Sequence, residues 1–154
     1  MGYRSDVAYT IRFVPRHVLH LDAENLNEEE DAKKAKESFY TFLAEAKANE
    51  DTANCFNEEE PINQCEGKEG FRVDEEKCTI NFFAQGVKWY PDYTDVKCHN
   101  ALISLARDWE EENRYIGVVF AIVGEDLEDI EEYTIGQGDF DWLSIERRVT
   151  GDFL

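Results

Sequence analysis

Asp6-Val7-Ala8-Tyr9-Thr10-Ile11-Arg12-Phe13-Val14 decides the class of fold. Val7, Tyr9, Ile11 and Phe13 alternate with Ala8, Thr10 and Arg12, and a period of two puts the first set on one side of a pleated strand. Pro15 ends the run, since proline has no N–H to give a sheet ladder. The segment predicts a half-buried strand whose apolar side needs another layer over it.

The next periodic segment supplies that layer. Asn27 precedes the acidic turn Glu28 to Asp31, where negative charge suits the positive end of a helix dipole. Ala32, Ala35, Phe39, Phe42, Leu43 and Ala46 then recur every three or four residues, with Lys33, Lys34, Lys36 and Glu37 mainly on the other side. This is an amphipathic helix. Residues 49–70 show no sustained period and hold acids and turn formers, among them Glu58-Glu59-Glu60-Pro61. They read as a long acidic loop, of the kind that is either functional or mobile.

Residues 71–73 and 78–83 predict a hairpin around Asp74-Glu75-Glu76-Lys77. Gly86 allows a turn or bulge before Val87-Lys88-Trp89-Tyr90, read as a short strand stopped by Pro91. A second helix opens at Thr94 or Asp95, with Val96, His99, Leu102, Ile103, Ala106 and Trp109 on its buried stripe. Residues 115–123 are almost wholly apolar, which predicts a central strand covered on both faces. Leu127, Ile130 and Tyr133 are three residues apart within an acidic run, predicting one or two helical turns with the acids in water. Two terminal strands follow, around Tyr133-Thr134-Ile135 and over residues 143–149. The order predicts one α+β domain over residues 1–154: a mostly antiparallel sheet, both helices packed on one face, and a split β-α-β-like core with extra C-terminal strands.

Charge narrows the partners. Asp and Glu number 35 against 16 Lys and Arg, a formal net charge of -19 on 154 residues. Such a chain is repelled by phosphate, which argues against nucleic acid and anionic membrane as direct ligands and favours a basic partner, or simply a heavily solvated surface. Self-repulsion also predicts stability that rises with salt and with modest acidification from neutral pH. No apolar run reaches the roughly 18 residues of a membrane span, and no signal-peptide pattern opens the chain. The expected compartment is the cytoplasm. Cys55, Cys65, Cys78 and Cys98 form no CxxC pair, and Cys98-His99 is a poor chelate because adjacent helical side chains diverge. The expectation is therefore reduced thiols, Cys78 and Cys98 in the core, and neither metal nor cofactor. Cys55 and Cys65 would bridge the acidic loop only in an oxidising compartment. His99 reads as a neutral core histidine satisfied by a backbone carbonyl.

Two segments stand out as interaction surfaces. Trp89, Tyr90, Asp92 and Tyr93 crowd aromatics and an acid at a strand-to-helix junction, as interface anchors do. Glu125, Asp126, Glu128, Asp129, Glu131 and Glu132 crowd carboxylates into one run, a pattern able to imitate the phosphates of a nucleic acid. The DxDxDG pattern of a calcium loop is missing there. An enzyme would need a constellation the chain does not show: there is no HExxH and no GxSxG, and no carboxylate pair is singled out for a hydrolase. A nucleotide sponge would need Arg4, Arg12, Arg16, Arg147 and Arg148 to converge.

Met1-Gly2-Tyr3-Arg4-Ser5-Asp6-Val7, Gly86-Val87-Lys88-Trp89-Tyr90-Pro91-Asp92-Tyr93-Thr94-Asp95-Val96 and Val123-Gly124-Glu125-Asp126-Leu127-Glu128-Asp129-Ile130-Glu131 together carry a resemblance. The chain resembles a group of small acidic proteins encoded by tailed bacteriophages, in the same order along most of its length, with residues 49–70 departing from it. The resemblance implies a virus-encoded accessory protein in the host cytoplasm and brings no assigned activity with it. The resulting expectation is a non-enzymatic protein that inhibits or decoys a host protein, with homodimerisation as a further partner choice.

Overall fold

The computed structural model describes residues 4–15, 28–67, 69–112, 115–124 and 130–135. Among these run β1 (Ser5–Phe13), α1 (Glu28–Ala48), β2 (Gly70–Asp74), β3 (Thr79–Val87), α2 (Thr94–Glu112), β4 (Ile116–Gly124) and β5 (Ile130–Ile135). The strands form one antiparallel sheet in the order β2-β3-β1-β4-β5. β1 and β2 both oppose β3, so they run parallel with β3 between them. β3 and β4 likewise run parallel with β1 between them. Each parallel pair is joined by a helix, as parallel strands require a long crossover. Two interleaved crossovers of this kind make the split β-α-β-β-α-β unit, to which β5 adds an edge. The fold is α+β, as the periodicities predict.

Both helices lie on one face. Phe13 meets Phe39 and Phe42 of α1 and Trp109 of α2, with ring centroids 6.0, 5.4 and 6.0 Å away. The odd-numbered side chains of β1 build this core with Ile80 and Phe82 of β3 and Ile116, Val118 and Phe120 of β4. The other side of β1 is more buried than a half-buried strand would be: Ala8 and Thr10 are covered too. β1 sits between two strands, and the register sets these small side chains beside Val119 and Ala121. On α1 the buried stripe runs through Asp31 instead of Ala32, which is exposed.

Three expectations change near the sheet ends. Val87 belongs to β3, and Lys88 to Tyr90 leave the sheet, so no separate strand forms there. Gly86, at φ 61°, makes the bulge: Gln85 and Gly86 together oppose Asp6 in the β1–β3 register. The Gly86 N–H donates to Asp6 Oδ1 at 2.8 Å, and Arg4 Nη1 donates to the Gly86 carbonyl at 2.7 Å. Ile130 and its successors are strand, not helix, and Ile130 is 41% exposed instead of inward. The free edge of β4 offers ladder hydrogen bonds along its length, whereas one or two helical turns cannot offset their own nucleation. The strand expected around Tyr133-Thr134-Ile135 is contained in β5. Glu125 to Asp129, and the strand expected over 143–149, lie outside the described residues.

Residues 49–67 and 69–70 form the long acidic loop that the sequence suggests, and it is packed inward at several positions. Two 3₁₀ turns, Ala53–Phe56 and Pro61–Asn63, bring Thr52, Cys55 and Asn63 into the interior. Gly70 lets this segment enter β2. Its φ is 112°, and a Cβ there would stand 2.7 Å from the Cys65 Cα and collide with the Gln64 carbonyl. Gly70→Ala therefore combines left-handed strain with a backbone clash. It is expected to cost about 2 kcal/mol or more, seen as a lower urea midpoint at unchanged m-value. Among the described residues, no helix is long and apolar enough to cross a membrane.

Candidate functional site

The chain presents one distinctive surface turn and one buried polar cluster. The turn begins where β3 ends. The Tyr93 N–H donates to the Tyr90 carbonyl at 2.9 Å, closing a four-residue turn with Pro91 at its second position, where a fixed φ favours turning. The Tyr93 carbonyl then accepts from Lys97 N–H at 2.8 Å, the first α-type bond of α2. Tyr93 thus holds the helix N-cap position one residue before the expected caps, Thr94 and Asp95. The Tyr90 and Tyr93 rings pack edge to face, centroids 5.1 Å apart at 86°. Tyr93 stays 41% exposed, and Pro91 and Asp92 are exposed beside it.

Trp89 belongs to the core instead. Its ring is half-buried, 5.8 Å from Phe82 and 6.0 Å from His99. The aromatics of this segment read either as core or as surface anchors, and the packing sets Trp89, two residues past β3, mainly with the core. Glu131 and Glu132 are exposed on β5. Glu125, Asp126, Glu128 and Asp129 are outside the described residues.

The sheet register relates the two surface segments. Val87 pairs with Ser5, Ser5 with Gly124, and Val123 with Ile130. The aromatic turn therefore leaves the sheet at the end where β4 stops and β5 starts. Three strand spacings separate β3 from β5, about 14 Å. A nucleotide-binding arginine cluster is not formed by Arg4 and Arg12, which stand at opposite ends of β1, about 26 Å apart along the strand. Arg16, Arg147 and Arg148 lie outside the described residues, as do His17 and His20.

His99 organises the buried cluster. Asn63 Nδ2 donates to the carbonyls of Asn54 and Asn57 at 2.9 and 3.1 Å, which fixes the orientation of its amide. Its Oδ1 must then accept from His99 Nε2–H, 2.8 Å away. The remaining nitrogen, Nδ1, carries the lone pair and accepts from the Tyr9 hydroxyl at 2.6 Å. Burial keeps that phenol protonated by raising its pKa well above the ordinary value. His99 is therefore a neutral Nε2–H tautomer satisfied by two side chains, where a backbone carbonyl was expected. Burial pushes its pKa from 6.5 to about 3. The ring stacks on Phe82 at 4.1 Å between centroids.

Two cysteines border this imidazole. Cys55 Sγ lies 3.7 Å from His99 Nδ1. The Cys55 thiol also donates a hydrogen bond to the Cys98 sulfur, which pushes its own pKa up and lowers that of Cys98. Cys98 Sγ donates to the Asp95 carbonyl at 3.1 Å. Cys65 is exposed and turns to the Phe71 carbonyl at 3.2 Å. All four cysteines are free, and Cys55 is interior, together with Cys78 and Cys98. Asn63, Tyr9 and Cys55 escaped the sequence reading because they come from three separate segments. Only their common polarity within or beside apolar runs could have flagged them. Comparisons with family models, curated proteins and solved structures gave no match, so function is argued from these groups alone.

Proposed function

We propose that the chain is a virus-encoded, non-enzymatic accessory protein that binds a basic surface of a host protein through its own acidic, aromatic-bearing surface, able to imitate a nucleic acid, and so inhibits or decoys it. One observation supports this reading: the Tyr90-Pro91-Asp92-Tyr93 turn leaves the end of the sheet at which β4 stops and β5, with the exposed Glu131 and Glu132, starts. The turn is fixed by a backbone bond, a proline and an edge-to-face ring pair. An anchor so held loses little conformational freedom on binding. The carboxylates nearby supply long-range attraction to a basic partner, and a net charge of -19 strengthens it.

Affinity capture from host lysate at low and high salt tests the reading, followed by kinetics with whichever protein is retained. Tyr93→Ala is expected to weaken capture about 30-fold, a loss of roughly 2 kcal/mol, mainly through faster dissociation. Reversing Glu128, Asp129, Glu131 and Glu132 to Lys is expected to slow association and flatten its salt dependence. Trp89→Ala acts on stability instead, because the ring is packed inside. Retention of a salt-sensitive partner at wild-type strength by both surface variants would sink this reading.

A further inference from the structure

Cys55, Cys98 and His99 point their donor atoms at a common centre. All three are buried, at 0, 3 and 0% exposure. The two Sγ atoms and a ring nitrogen of His99 lie within 4.8 Å of one another. A tetrahedral zinc with bonds of about 2.3 Å to sulfur and 2.0–2.1 Å to nitrogen has an S–N edge of about 3.6 Å. The Cys55 Sγ to His99 Nδ1 distance is 3.7 Å, so one edge of that tetrahedron already exists.

The surroundings of His99 match what a metal ligand needs. A ligating histidine donates its second ring N–H to a fixed acceptor, which sets the tautomer and aims the lone pair. Asn63 performs this task, its own amide clamped by two backbone carbonyls. The lone pair is thereby left on Nδ1, the nitrogen facing Cys55 and Tyr9. A structural histidine needs only to be satisfied. This one is satisfied in the orientation that also turns its lone pair toward the Tyr9 hydroxyl and the Cys55 thiol, with the Cys98 sulfur within 4.8 Å.

We propose that Cys55, Cys98 and the Nδ1 of His99 bind one Zn²⁺ in the core, with the Tyr9 hydroxyl as the adjacent oxygen for the fourth position. Two S–H bonds break and two Zn–S bonds form. Two protons leave to solvent, no electron is transferred, and Tyr9 gives up its bond to Nδ1. Charge selects the ion. Zn²⁺ with two thiolates and a neutral imidazole sums to zero, which a buried site tolerates, whereas Cu⁺ leaves a net negative charge inside. Calcium and magnesium want oxygen ligands and are excluded by the sulfurs. This proposal opposes the expectation of a metal-free chain drawn from cysteine spacing, and it is independent of the surface reading.

The test titrates reduced, chelator-stripped full-length chain with Zn²⁺ and, separately, Co²⁺. One equivalent of either is expected to bind. Co²⁺ should give thiolate-to-metal charge transfer and tetrahedral d–d bands, and Zn²⁺ should release two protons. Cys98→Ser is expected to lose the charge-transfer band, while Cys65→Ser with Cys78→Ser keeps it. Asn63→Ala is expected to weaken binding about 10- to 100-fold without changing stoichiometry. Because Cys78→Ser, Cys98→Ser and Asn63→Ala all touch the core, the decisive arms are the wild type and the Cys65/Cys78 double variant, the latter titrated once its circular dichroism matches that of the wild type. Absence of stoichiometric uptake by the folded wild type, or its loss in the double variant, overturns the site.

Discussion

Acidification from neutral pH is expected to weaken the metal-free protein by about 2 kcal/mol at pH 5 and roughly 4 kcal/mol at pH 3 through His99 alone. The unfolded chain takes a proton on this imidazole at its ordinary pKa of 6.5, while the folded chain resists until about 3. The unfolded state therefore binds more protons between these values, and stability falls as pH falls through that window. The contribution is fully present above about pH 6.5. Around the ring stand Tyr9, Asn63, Cys55, Cys98, Phe71, Phe82 and Trp89. None of them is a carboxylate that would welcome an imidazolium. The surface charge works in the other direction, since protonating carboxylates relieves the repulsion of a -19 chain. Urea unfolding of wild type and His99→Gln at pH 7 and pH 5, with chelator, separates the two. The variant is expected to lose the wild type's additional fall. Parallel pH dependences in both proteins would show that the imidazole titrates normally in the fold.

Phe42→Ala is expected to remove about 3–5 kcal/mol of stability. Phe42 is fully buried, and its ring meets Phe13 at 5.4 Å and Trp109 at 5.4 Å. It is the point where α1, α2 and β1 touch. The loss combines transfer of a large apolar side chain with a cavity that three rigid elements close only in part. Domains of this size have about 5–15 kcal/mol in total, so the variant is expected to sit near its unfolding threshold at 37 °C. Thermal unfolding with both far- and near-UV circular dichroism checks this, and a midpoint within a degree or two of wild type would contradict the packing described.

Elements with a clear period were legible in the sequence. Val7 to Phe13, Ala35 to Ala46 and Val96 to Trp109 fell on the faces their spacing assigns, because one layer of water or core decides each face. The hairpin around Asp74 to Lys77 was legible through its turn residues, and the Lys77 N–H caps Asp74 Oδ1 at 3.1 Å. Ile130 was misread because three-residue spacing over so few positions does not separate helix from strand, and the unpaired edge of β4 decides the matter. The inward packing of residues 49–70, which read as a long acidic loop, was not legible for a different reason. Their side chains are held inside by hydrogen bonds, Thr52 Oγ1 to the Ala46 carbonyl and Asn63 to His99, and polar burial leaves no hydropathy signal. At the surface, Tyr93 could be read from composition, while Trp89 could not, since the same ring serves either role.

The central position of β1 has a kinetic consequence. Its partners on β4 lie more than a hundred residues downstream, and its partners on β3 are only somewhat nearer. During synthesis at about 5–20 residues per second, β1 waits about 5–20 s for β4 to be made. Until then an apolar strand that the fold covers on both edges has at most the one that β3 supplies. Closing such long loops before any pairing is rewarded makes folding slow relative to a helical bundle of the same size. A ribosome stalled anywhere before Ile116 therefore holds a chain whose first strand still has an open edge, a species for a chaperone to shield or a protease to find.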